Sequence, residues 1–480
     1  MSHEDLLYRL YADLVRRARP EPPSENAVLN KFTAPTDTAS VSDVFAAAAA
    51  SPSSFVWGGG GYTPGWQWGA GQWRGAKAPI FSRASVAYLP DGTQVASGAP
   101  RFVAGQAGQA LVTEEGTTNL LTANQASGGD ALGNTSDFNS YYTSTLSYDS
   151  STGFRGGSIK VVTDSGGTNP YSGVIASPNQ AAPFAQGSIV SVSAWVKMPA
   201  GQTFYFGIRW GDGTNRWDGP TTGALTGTGN WQYVKVENQA APTSGTPSGN
   251  PATHAGVQCY VPEPPAGSPV TFWIDQMQVE VKPYATSWID GGATRAAETL
   301  SIPASVVTLP EGTVEVWTYC DNAHEVTTGA RQLFFALDST NSNNLQILWD
   351  TDGKYKAAVK SAGTRRDLVG PSTLATGWHL FALTWSATSC AFYIDGALQA
   401  SGALPLPTAL TQASLGCWPA ASHQWDLPID GVRISSRTRT ASEIAAAASA
   451  YLNNGTPPPV DADTSYYLGF DGSMAWRSSA

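Results

Sequence analysis

One short segment near the end of the chain constrains the fold more than any other feature. Residues 377–402, GWHLFALTWSATSCAFYIDGALQASG, alternate side-chain character with the two-residue period of a β-strand. One face of the first predicted strand carries His379, Phe381, Leu383 and Trp385, and the other carries Leu380, Ala382 and Thr384. Asp395-Gly396 is a pair typical of a two-residue hairpin turn, which needs positive φ angles. The segment therefore predicts an antiparallel meander in the core of a β-sandwich.

The composition extends this prediction to most of the chain. A length of 480 residues is too great for one core, so we expect two to four domains. Hydrophobic residues make up 41% of the chain, and charged residues only 13%, about half the usual share. The 50 glycines and 32 prolines indicate many short strands and turns. The predicted class is mainly β, with helix formers concentrated at the start and at residues 441–452.

Charge and cysteine content exclude several classes of function. The net charge is −10 and no basic stripe is present, which argues against nucleic-acid binding. The four cysteines form no CxxC pair and have no histidine-rich neighbour, so zinc is not expected, although one disulfide stays open. The first residues lack the pattern of a signal peptide, and no apolar run is long enough for a membrane span. We therefore expect assembly in a cytoplasm and no membrane insertion.

Changes in composition divide the chain into four predicted segments. Residues 1–24 are predicted to form an amphipathic helix and a Pro-rich linker; its apolar stripe consists of Leu7, Leu10, Tyr11 and Leu14. Because the linker leaves this helix with little to pack on, we expect it to dock on another chain, the alternative being a helix folded back on the body. Residues 25–118 are predicted to be an irregular Gly/Trp-rich connector with a hairpin at Asp91-Gly92. Residues 119–296 and 297–480 are predicted to form two β-sandwiches with jelly-roll folds.

Several phrases resemble known families. A pair of flanking segments, which we call the bracket, resembles segments found in structural proteins of tailed bacteriophages. The first consists of SRASVAYLPDGTQVASGAPRF and ALVTEEGTTNLL, and the second is ATSWIDGGATRAAETLSI. There the bracket encloses a sandwich similar to carbohydrate-binding modules of families 4 and 9. The segment 377–402 followed by IDGVRISSRTRTASEI resembles the laminin-G-like, concanavalin A-like jelly roll. The resemblance covers about residues 80–475 and implies a virion protein with two such modules.

The sequence contains no recognisable catalytic motif. Jelly-roll glucanases place paired carboxylates on one strand, since a glycosidase needs two of them at a defined separation. Asp275 and Glu280 have a spacing that predicts opposite faces, Glu315 stands alone, and the adjacent Glu114 and Glu115 point apart. No G-x-S-x-G or HExxH motif is present. We therefore expect a protein without enzymatic activity.

A glycan-binding site is predicted at a hairpin rim in the first sandwich. Sugar binding uses exposed rings with polar groups beside them, which RWGDGTNRWDG supplies. The candidates are Trp210, Asp212, Asn215, Arg216 and Trp217, with Trp418 and Trp425 as a second pair in a later loop. The alternative is that one of the first two tryptophans lies in the core and the other packs against a neighbouring subunit.

A calcium site is the remaining chemical hypothesis. Asp350, Asp352 and Asp426 could donate oxygen ligands at a loop rim, although too few carboxylates follow Asp350 for an EF-hand loop. The alternative is a solvated hairpin turn. No other cofactor is predicted.

These observations lead to one functional hypothesis and one rival. The chain is predicted to be a structural component of a phage particle, as a tail fibre, tail tip, head fibre or capsid decoration. It would bind other virion proteins through the N-terminal helix, form a homo-oligomer such as a trimer, and adhere to host-surface polysaccharide. The rival is a secreted protein that binds or hydrolyses glycans.

Overall fold

The structure, a computed structural model, describes residues 79–164, 169–321, 329–403 and 405–469, together with the backbone of two short strands before them. The predicted mainly β class is confirmed, and strands are numbered β1–β32 in chain order. The two short strands, β1 (Gln67–Gly69) and β2 (Gln72–Arg74), pair antiparallel. The predicted docking helix, with Leu7, Leu10, Tyr11 and Leu14, lies outside the described residues. None of the helices described has the length and hydropathy that a membrane-spanning helix requires.

The first sandwich consists of two antiparallel sheets. The five-stranded sheet has the order β10 (Thr145–Asp149), β11 (Ser158–Val162), β19 (Thr271–Glu280), β13 (Ile189–Lys197) and β17 (Trp231–Ala240). The six-stranded sheet has the order β15 (Arg216–Thr221), β14 (Thr203–Gly211), β18 (His254–Pro262), β12 (Tyr171–Ala176) and β9 (Phe138–Tyr141), with β16 (Leu225–Thr226) paired to β14. A one-turn helix, α1 (Ala123–Ala126), precedes them and begins with a capping box at Thr122.

The core of this sandwich follows from the alternation along its strands. In β14, Phe204, Phe206 and Ile208 are fully buried, while the residues between them face away from the core. In β18, Val257 and Cys259 occupy the same layer. Burying such side chains contributes roughly 1.5–3 kcal/mol each, so the alternation largely decides which face of each strand turns inward.

The second sandwich is larger. Its seven-stranded sheet has the order β26 (Thr364–Val369), β25 (Lys354–Ser361), β24 (Asn344–Asp350), β23 (Arg331–Leu337), β30 (Gln412–Leu415), β21 (Thr299–Ile302) and β3 (Ile80–Ser82). Its eight-stranded sheet has the order β29 (Ala397–Gly402), β28 (Ser389–Ile394), β27 (Gly377–Ser386), β22 (Gly312–Cys320), β31 (Pro428–Ser435), β7 (Gln109–Val112) and β6 (Arg101–Ala104), with β32 (Thr464–Gly469) also paired to β31.

The described part of the predicted connector belongs to this second sandwich. Strands β3, β6 and β7 come from residues 80–112 and extend both of its sheets. Leu111 is fully buried in its core, and Phe81 and Phe102 pack against the same cluster. Between β3 and β6 lies a small hairpin of β4 (Ala87–Tyr88) and β5 (Gln94–Val95), in which Gly92 has a φ of +82°. Residues 80–112 are therefore structural strands separated in sequence from their sandwich by the whole of the first one.

The meander predicted for residues 377–402 is confirmed. Strands β27, β28 and β29 pair in sequence, and Asp395 and Gly396 adopt φ angles of +52° and +80° between them. Phe381 and Leu383 face the sandwich core. On the other face, Leu380 and its neighbours are covered by the helix α2 (Ala441–Asn454). The two remaining short strands, β8 (Thr117–Thr118) and β20 (Thr294–Arg295), pair with each other at the junction of the sandwiches.

Candidate functional site

The two tryptophans predicted to form an exposed rim lie in the core of the first sandwich. Trp210 and Trp217 are direct partners on β14 and β15, and they are 2% and 9% exposed. Both belong to the main hydrophobic cluster of this sandwich. The prediction of an exposed rim is therefore wrong for these rings, because the strand alternation places them inward and their neighbours Arg209 and Asp218 outward.

The polar residues of the same hairpin bind one another at its tip. The Asp212 carboxylate accepts hydrogen bonds from the backbone of Thr214 and Asn215 and from the side chain of Asn250. The pKa of Asp212 is lowered, and the largest cause is the hydrogen bond from the Asn215 side chain. The polar residues near the two tryptophans therefore form a turn in which they satisfy one another's hydrogen-bonding groups. Arg216 is exposed and is the one polar candidate of this group that borders a cleft described below.

The second predicted pair of rings is also largely enclosed. Trp425 is 2% exposed in the core, and its indole N–H donates to Thr318 Oγ1 at 2.7 Å. Trp418 is half-buried and stacks on Phe335 and His423 at centroid distances of 5.3 Å and 4.4 Å. The prediction of a loop ring open to solvent is wrong for Trp425, because its loop folds into the sandwich.

The three aspartates of the calcium hypothesis are occupied by cations and donors of the chain itself. Asp350 and Asp352 both pair with Lys356, at 3.1 Å and 2.8 Å. Asp426 is in a different cluster, where it pairs with Arg331 and accepts a hydrogen bond from Tyr284. Within the described residues, no group of three or more His, Cys, Asp or Glu side chains is arranged to hold a metal ion. The structure thus gives the calcium hypothesis no converging ligand set.

The outer face of the six-stranded sheet carries a row of stacked tyrosines. Tyr205 and Tyr260 are direct partners on β14 and β18, with ring centroids 5.4 Å apart and an interplanar angle of 23°. Tyr260 stacks in turn on Tyr141 of β9, at 4.8 Å and 9°. We call Tyr205, Tyr260 and Tyr141 the tyrosine row. It crosses four strands of the sheet.

A glycine makes the row continuous. Gly173 of β12 pairs with both Tyr260 and Tyr141, and it lies between their strands. A Cβ atom on Gly173 would come within 2.7 Å of the Tyr260 Cβ and within 2.2 Å of the Cys259 carbonyl oxygen. Tyr171 packs edge-on against Tyr260 at 5.0 Å. The missing side chain therefore lets the rings of two non-adjacent strands meet.

Charged groups border one end of the row. The Tyr141 hydroxyl donates to Asp218 Oδ1 at 3.1 Å, and Asp218 also pairs with Arg209. Burial, followed by the negative charge of Asp218, raises the pKa of Tyr141, so this hydroxyl remains a donor at neutral pH. The Arg209 guanidinium carbon lies 5.8 Å from the centre of the Tyr141 ring, a distance at which a cation attracts an aromatic face.

An open cleft continues from this charged end. Its volume is about 560 Å³, and it is lined by Arg209, Arg216, Trp217, Asp218, Pro242, Gly245, Thr246 and Pro247. Arginine and aspartate side chains at its wall can donate to and accept from hydroxyl groups. Tyr260 and Tyr141 are 9% and 6% exposed, so the accessible surface consists of the half-buried Tyr205 and the hydrogen-bonding groups of the cleft.

A buried amide beneath the row has no hydrogen-bond partner. Gln258 lies two residues before Tyr260 on β18, so it shares the outer face, yet it is only 1% exposed. Neither its Nε2 nor its Oε1 has a partner among the described residues, and Arg209 Nε also lacks one. An unsatisfied buried polar group costs about 1–3 kcal/mol, which is more than a purely structural position would favour.

A β-bulge corrects the prediction for Asp275 and Glu280. Along β13, Ser191, Ser193 and Trp195 alternate on one face and pair with Glu280, Gln278 and Asp275 respectively. The extra residue in β19 is Gln276, whose φ is +45°. The two carboxylates therefore lie on the same face. Glu280 accepts hydrogen bonds from Thr286 and Gln278, and burial raises its pKa.

The outer face of the five-stranded sheet also carries aromatic rings. Trp195 stacks on Phe154 at 3.8 Å and contacts Tyr233 at 5.6 Å. Lys197 lies 5.5 Å from the ring of Trp273. A buried unpartnered amide, that of Gln276, also lies on a strand of this sheet. This face is the second candidate surface in the same sandwich.

The tyrosine row was missed because its residues occupy the polar positions of their strands. In TFYFGIRWG, the apolar positions are Phe204, Phe206, Ile208 and Trp210, and Tyr205 stands between them with Gly207 and Arg209. The sequence signal for such a row is a tyrosine that lies beside a glycine on the polar face of an alternating strand. Recognising the row as a unit required knowledge of the strand order.

Comparisons with known proteins found similar solved structures and one matching family model. No curated protein matches the chain. Similar solved structures include a heptameric SAP-like pentraxin from Limulus polyphemus, with 13% identity and a TM-score of 0.26 over 34% of this chain and 80% of that one. The CBM40 of the Ruminococcus gnavus IT-sialidase has 12% identity and a TM-score of 0.25, over 30% of this chain and 85% of that one. The binding domain of botulinum neurotoxin serotype D has 11% identity and a TM-score of 0.27, over 32% of this chain and 40% of that one.

One family model matches the sequence directly. The model of the concanavalin A-like lectin/glucanases superfamily matches residues 291–445, which is less than half of the chain. This range includes most strands of the seven-stranded and eight-stranded sheets and the start of α2. The second sandwich is therefore a concanavalin A-like jelly roll.

Proposed function

We propose that the chain is a glycan-binding protein and that the first sandwich binds a polysaccharide along the tyrosine row and the adjoining cleft. The buried Gln258 amide beneath the row is the observation that carries the proposal. A sugar offers hydroxyl groups that both donate and accept, which is what an amide lacking both partners requires. The half-buried ring of Tyr205, which stacks on the buried Tyr260, provides apolar surface for the carbon face of a sugar ring.

The same reasoning favours binding over hydrolysis. Glu315 is fully buried and makes a two-point ion pair with Arg433, at 2.6 Å and 2.7 Å. Glu114 and Glu280 are likewise held by hydrogen bonds from neighbouring side chains. A glycosidase needs one carboxyl group free to protonate a leaving group and another to assist attack. We propose that these carboxylates stabilise the fold and have no catalytic role.

The binding proposal is tested by truncating the row at its half-exposed end. Tyr205→Ala should weaken binding of the full chain to bacterial capsular polysaccharides or lipopolysaccharide O-antigens by about tenfold, since stacking and ring contacts contribute roughly 1–2 kcal/mol. Binding is measured by biolayer interferometry on a panel of immobilised polysaccharides. The melting temperature should change little, because Tyr205 packs on the outside of the sheet.

Tyr233→Ala is the matched control. Tyr233 is 44% exposed and projects from the outer face of the other sheet. Its truncation should leave polysaccharide binding unchanged. If Tyr233→Ala abolishes binding and Tyr205→Ala does not, the five-stranded face is the site and the assignment to the tyrosine row is wrong. If the parent binds no polysaccharide of a broad panel, the glycan-binding proposal is abandoned.

We further propose that the chain is a structural component of a tailed-phage particle, at the tail, head or collar. The support is the resemblance of the bracket around the first sandwich to phage structural proteins. Immunogold electron micrographs of particles, with antibody against residues 119–296, should place gold at defined positions. Particles without label, with the protein found free in the lysate, would point to the secreted alternative.

Within that proposal, residues 1–24 dock the chain to other virion proteins and help to form a homo-oligomer such as a trimer. The motivation is the apolar stripe of Leu7, Leu10 and Leu14, followed by a Pro-rich linker. Deleting residues 1–22 should leave the melting temperature unchanged and abolish incorporation into particles. Normal incorporation of the shortened chain would contradict docking through this segment, and well-separated single copies on the particle would contradict the oligomer.

A further inference from the structure

A second cavity lies on the first sandwich, beside the β4–β5 hairpin. It has a volume of about 450 Å³, within the range of roughly 300–1,000 Å³ typical of small-molecule sites. Its walls come from the turn after α1, the loop before β11, the bulge of β19 and the loop before β20. The side chains that carry the argument are Asp130, Arg155, Asp275, Gln276, Trp288 and Asp290.

Gln276 is the least expected residue in this wall. It is the extra residue of the β19 bulge, with a φ of +45° that non-glycine residues seldom adopt. Its side chain is 3% exposed, and its Nε2 has no hydrogen-bond partner among the described residues. The tip of the β4–β5 hairpin lies close to this amide, since a Cβ added to Gly92 would be 3.3 Å from Nε2. A strained backbone and an unsatisfied buried amide in a cavity wall are typical of a functional position.

Trp288 supplies a second donor without a partner. Its indole Nε1 is buried and makes no hydrogen bond within the described residues. The ring is held from behind by Tyr88, at a centroid distance of 4.7 Å, and by the Arg155 guanidinium, at 5.3 Å. This packing fixes the direction of the N–H, which is a buried donor without an acceptor.

The acceptors of the cavity are three carboxylates. Asp290 accepts a hydrogen bond from the Tyr88 hydroxyl at 2.6 Å, and Asp130 accepts one from Gly157 N at 3.1 Å. Each retains lone pairs, since a carboxylate can accept about four hydrogen bonds. Asp275 is surrounded by three backbone N–H groups, and burial raises its pKa to about 7.

From this arrangement we infer that the cavity binds a neutral polyhydroxyl ligand, of the size of a single sugar residue. Two fixed N–H donors need acceptors, and two carboxylates with free lone pairs need donors. Hydroxyl groups on adjacent ring carbons meet both needs. An anionic ligand is disfavoured because it would face three aspartates and one arginine. A metal ion is disfavoured because both carboxylate oxygens of Asp275 already accept hydrogen bonds from backbone N–H groups.

This site is independent of the tyrosine row. It shares no lining residue with the cleft at Arg209 and Asp218, and it is built on the five-stranded sheet. A chain that binds polysaccharide along one sheet could thus hold a further sugar residue at a separate position.

The test uses the full chain and saturation-transfer NMR with glucose, galactose, rhamnose and N-acetylglucosamine as probes. At least one of these sugars should give a signal. Trp288→Phe keeps an aromatic ring and removes the N–H together with the five-membered ring of the indole, and Gln276→Asn suits a left-handed backbone but withdraws the amide by one methylene. Each should weaken monosaccharide binding by about tenfold, the effect of losing one buried hydrogen bond. Melting temperatures confirm that both variants are folded.

Tyr205→Ala distinguishes the two sites. It should weaken polysaccharide binding and preserve the monosaccharide signal. A monosaccharide signal that survives both Trp288→Phe and Gln276→Asn overturns the inference, as does the absence of any signal from the parent chain. Loss of the signal in Tyr205→Ala with retention in Trp288→Phe would also overturn it, by assigning the sugar to the tyrosine row.

Discussion

At the scale of single residues, the phrases that resemble phage proteins form a buried network of charges. Arg101 donates to Glu114 at 2.5 Å and to both oxygens of Glu298, at 3.0 Å and 2.7 Å. Arg83 also pairs with Glu298, and Arg295 pairs with Glu114. All five side chains are at least nine-tenths buried. The two segments that flank the first sandwich therefore meet at the junction between the sandwiches, where these residues bind one another.

Electrostatics keep this network charged. Burial alone would raise the pKa of Glu114, but the guanidinium groups of Arg101 and Arg295 lower it below its usual value. Burial would likewise lower the pKa of Arg101, and Glu114 and Glu298 raise it. The buried charges compensate one another, so removing Arg101 takes ion pairs and hydrogen bonds from both Glu114 and Glu298.

Arg101→Met should therefore destabilise the protein by roughly 3–5 kcal/mol, because two carboxylates lose their main partner. The free energy of unfolding is measured by urea denaturation at neutral pH. Arg366→Met is the control; Arg366 is exposed on β26 and its substitution should change stability by less than about 0.5 kcal/mol. Equal effects of the two substitutions would contradict a structural role for the network.

Gln258→Met should have opposite effects on stability and on binding. Methionine has a similar shape and removes an amide that has no partner, so stability should rise by about 1 kcal/mol. Polysaccharide binding should weaken, since the amide is assigned to the ligand. Loss of both stability and binding would show that the amide serves the fold, and the proposal for the tyrosine row would lose its main support.

At the scale of elements, helix α2 shows how a single helix completes an all-β sandwich. Ile444, Ala447, Ala448 and Tyr451 cover the outer face of the eight-stranded sheet, where Trp317 and Leu380 are buried. Gly396 allows this contact, because a Cβ there would lie 2.7 Å from the Ala445 Cα. The helix begins with a capping box of Thr440 and Glu443.

Thr440→Ala removes that cap and should cost about 1 kcal/mol. The backbone N–H of Glu443 would lose its acceptor, the Thr440 hydroxyl, at 3.3 Å. Thermal unfolding followed by circular dichroism is the measurement, and Ser442→Ala in the exposed first turn is the control. A Thr440→Ala variant as stable as the control would mean that packing alone holds the start of the helix.

The turn before β32 makes stability depend on acid pH. Two hydrogen bonds from the Arg439 guanidinium to Asp461, at 2.9 Å and 2.8 Å, lower the pKa of that carboxyl to about 2. Because the folded-state pKa lies below the unfolded value, the contribution of Asp461 is present above about pH 4 and is lost as pH falls towards 2. Asp461→Asn should be less stable than the parent at pH 6, and the difference should vanish near pH 2. A difference that is constant with pH, in urea titrations, would contradict this role of the charge.

At the scale of the whole molecule, the two sandwiches differ in their dependence on the rest of the chain. The sheets of the first contain only strands between residues 138 and 280. The second takes β3, β6 and β7 from before the first sandwich and its other strands from after it. The charged network and the β8–β20 pair lie where the chain passes between them.

We therefore expect a fragment of residues 119–296 to fold alone and a fragment of residues 297–480 to fail. The second fragment lacks three strands, so it exposes the edges of β21 and β31 and the cavity left by Leu111. Size-exclusion chromatography and thermal melts of both fragments make the comparison. A monomeric 297–480 fragment with the melting temperature of the parent would show that strands β3, β6 and β7 are dispensable.

Local chemistry in the sequence was sufficient for the elements but not for the candidate sites. The meander at residues 377–402 and its Asp395-Gly396 turn were predictable because a two-residue period and a positive-φ turn are properties of neighbouring residues. The burial of Trp210 follows from the same alternation, because it lies on one face of β14 with Phe204, Phe206 and Ile208. The polar residues at the hairpin tip misled the prediction because they satisfy one another.

The sequence by itself determined the β class, the jelly-roll character of the second sandwich and the turns that connect its strands. Only the tertiary structure decided which rings meet and which are covered. Tyr205, Tyr260 and Tyr141 are up to 119 residues apart in sequence and form a row because strand order brings β14, β18 and β9 into one sheet. The bulge at Gln276 moved Asp275 to the face of Glu280, which a strict two-residue period excludes. Long-range pairing and a single extra residue change which side chains share a surface, and neither is encoded in a local pattern.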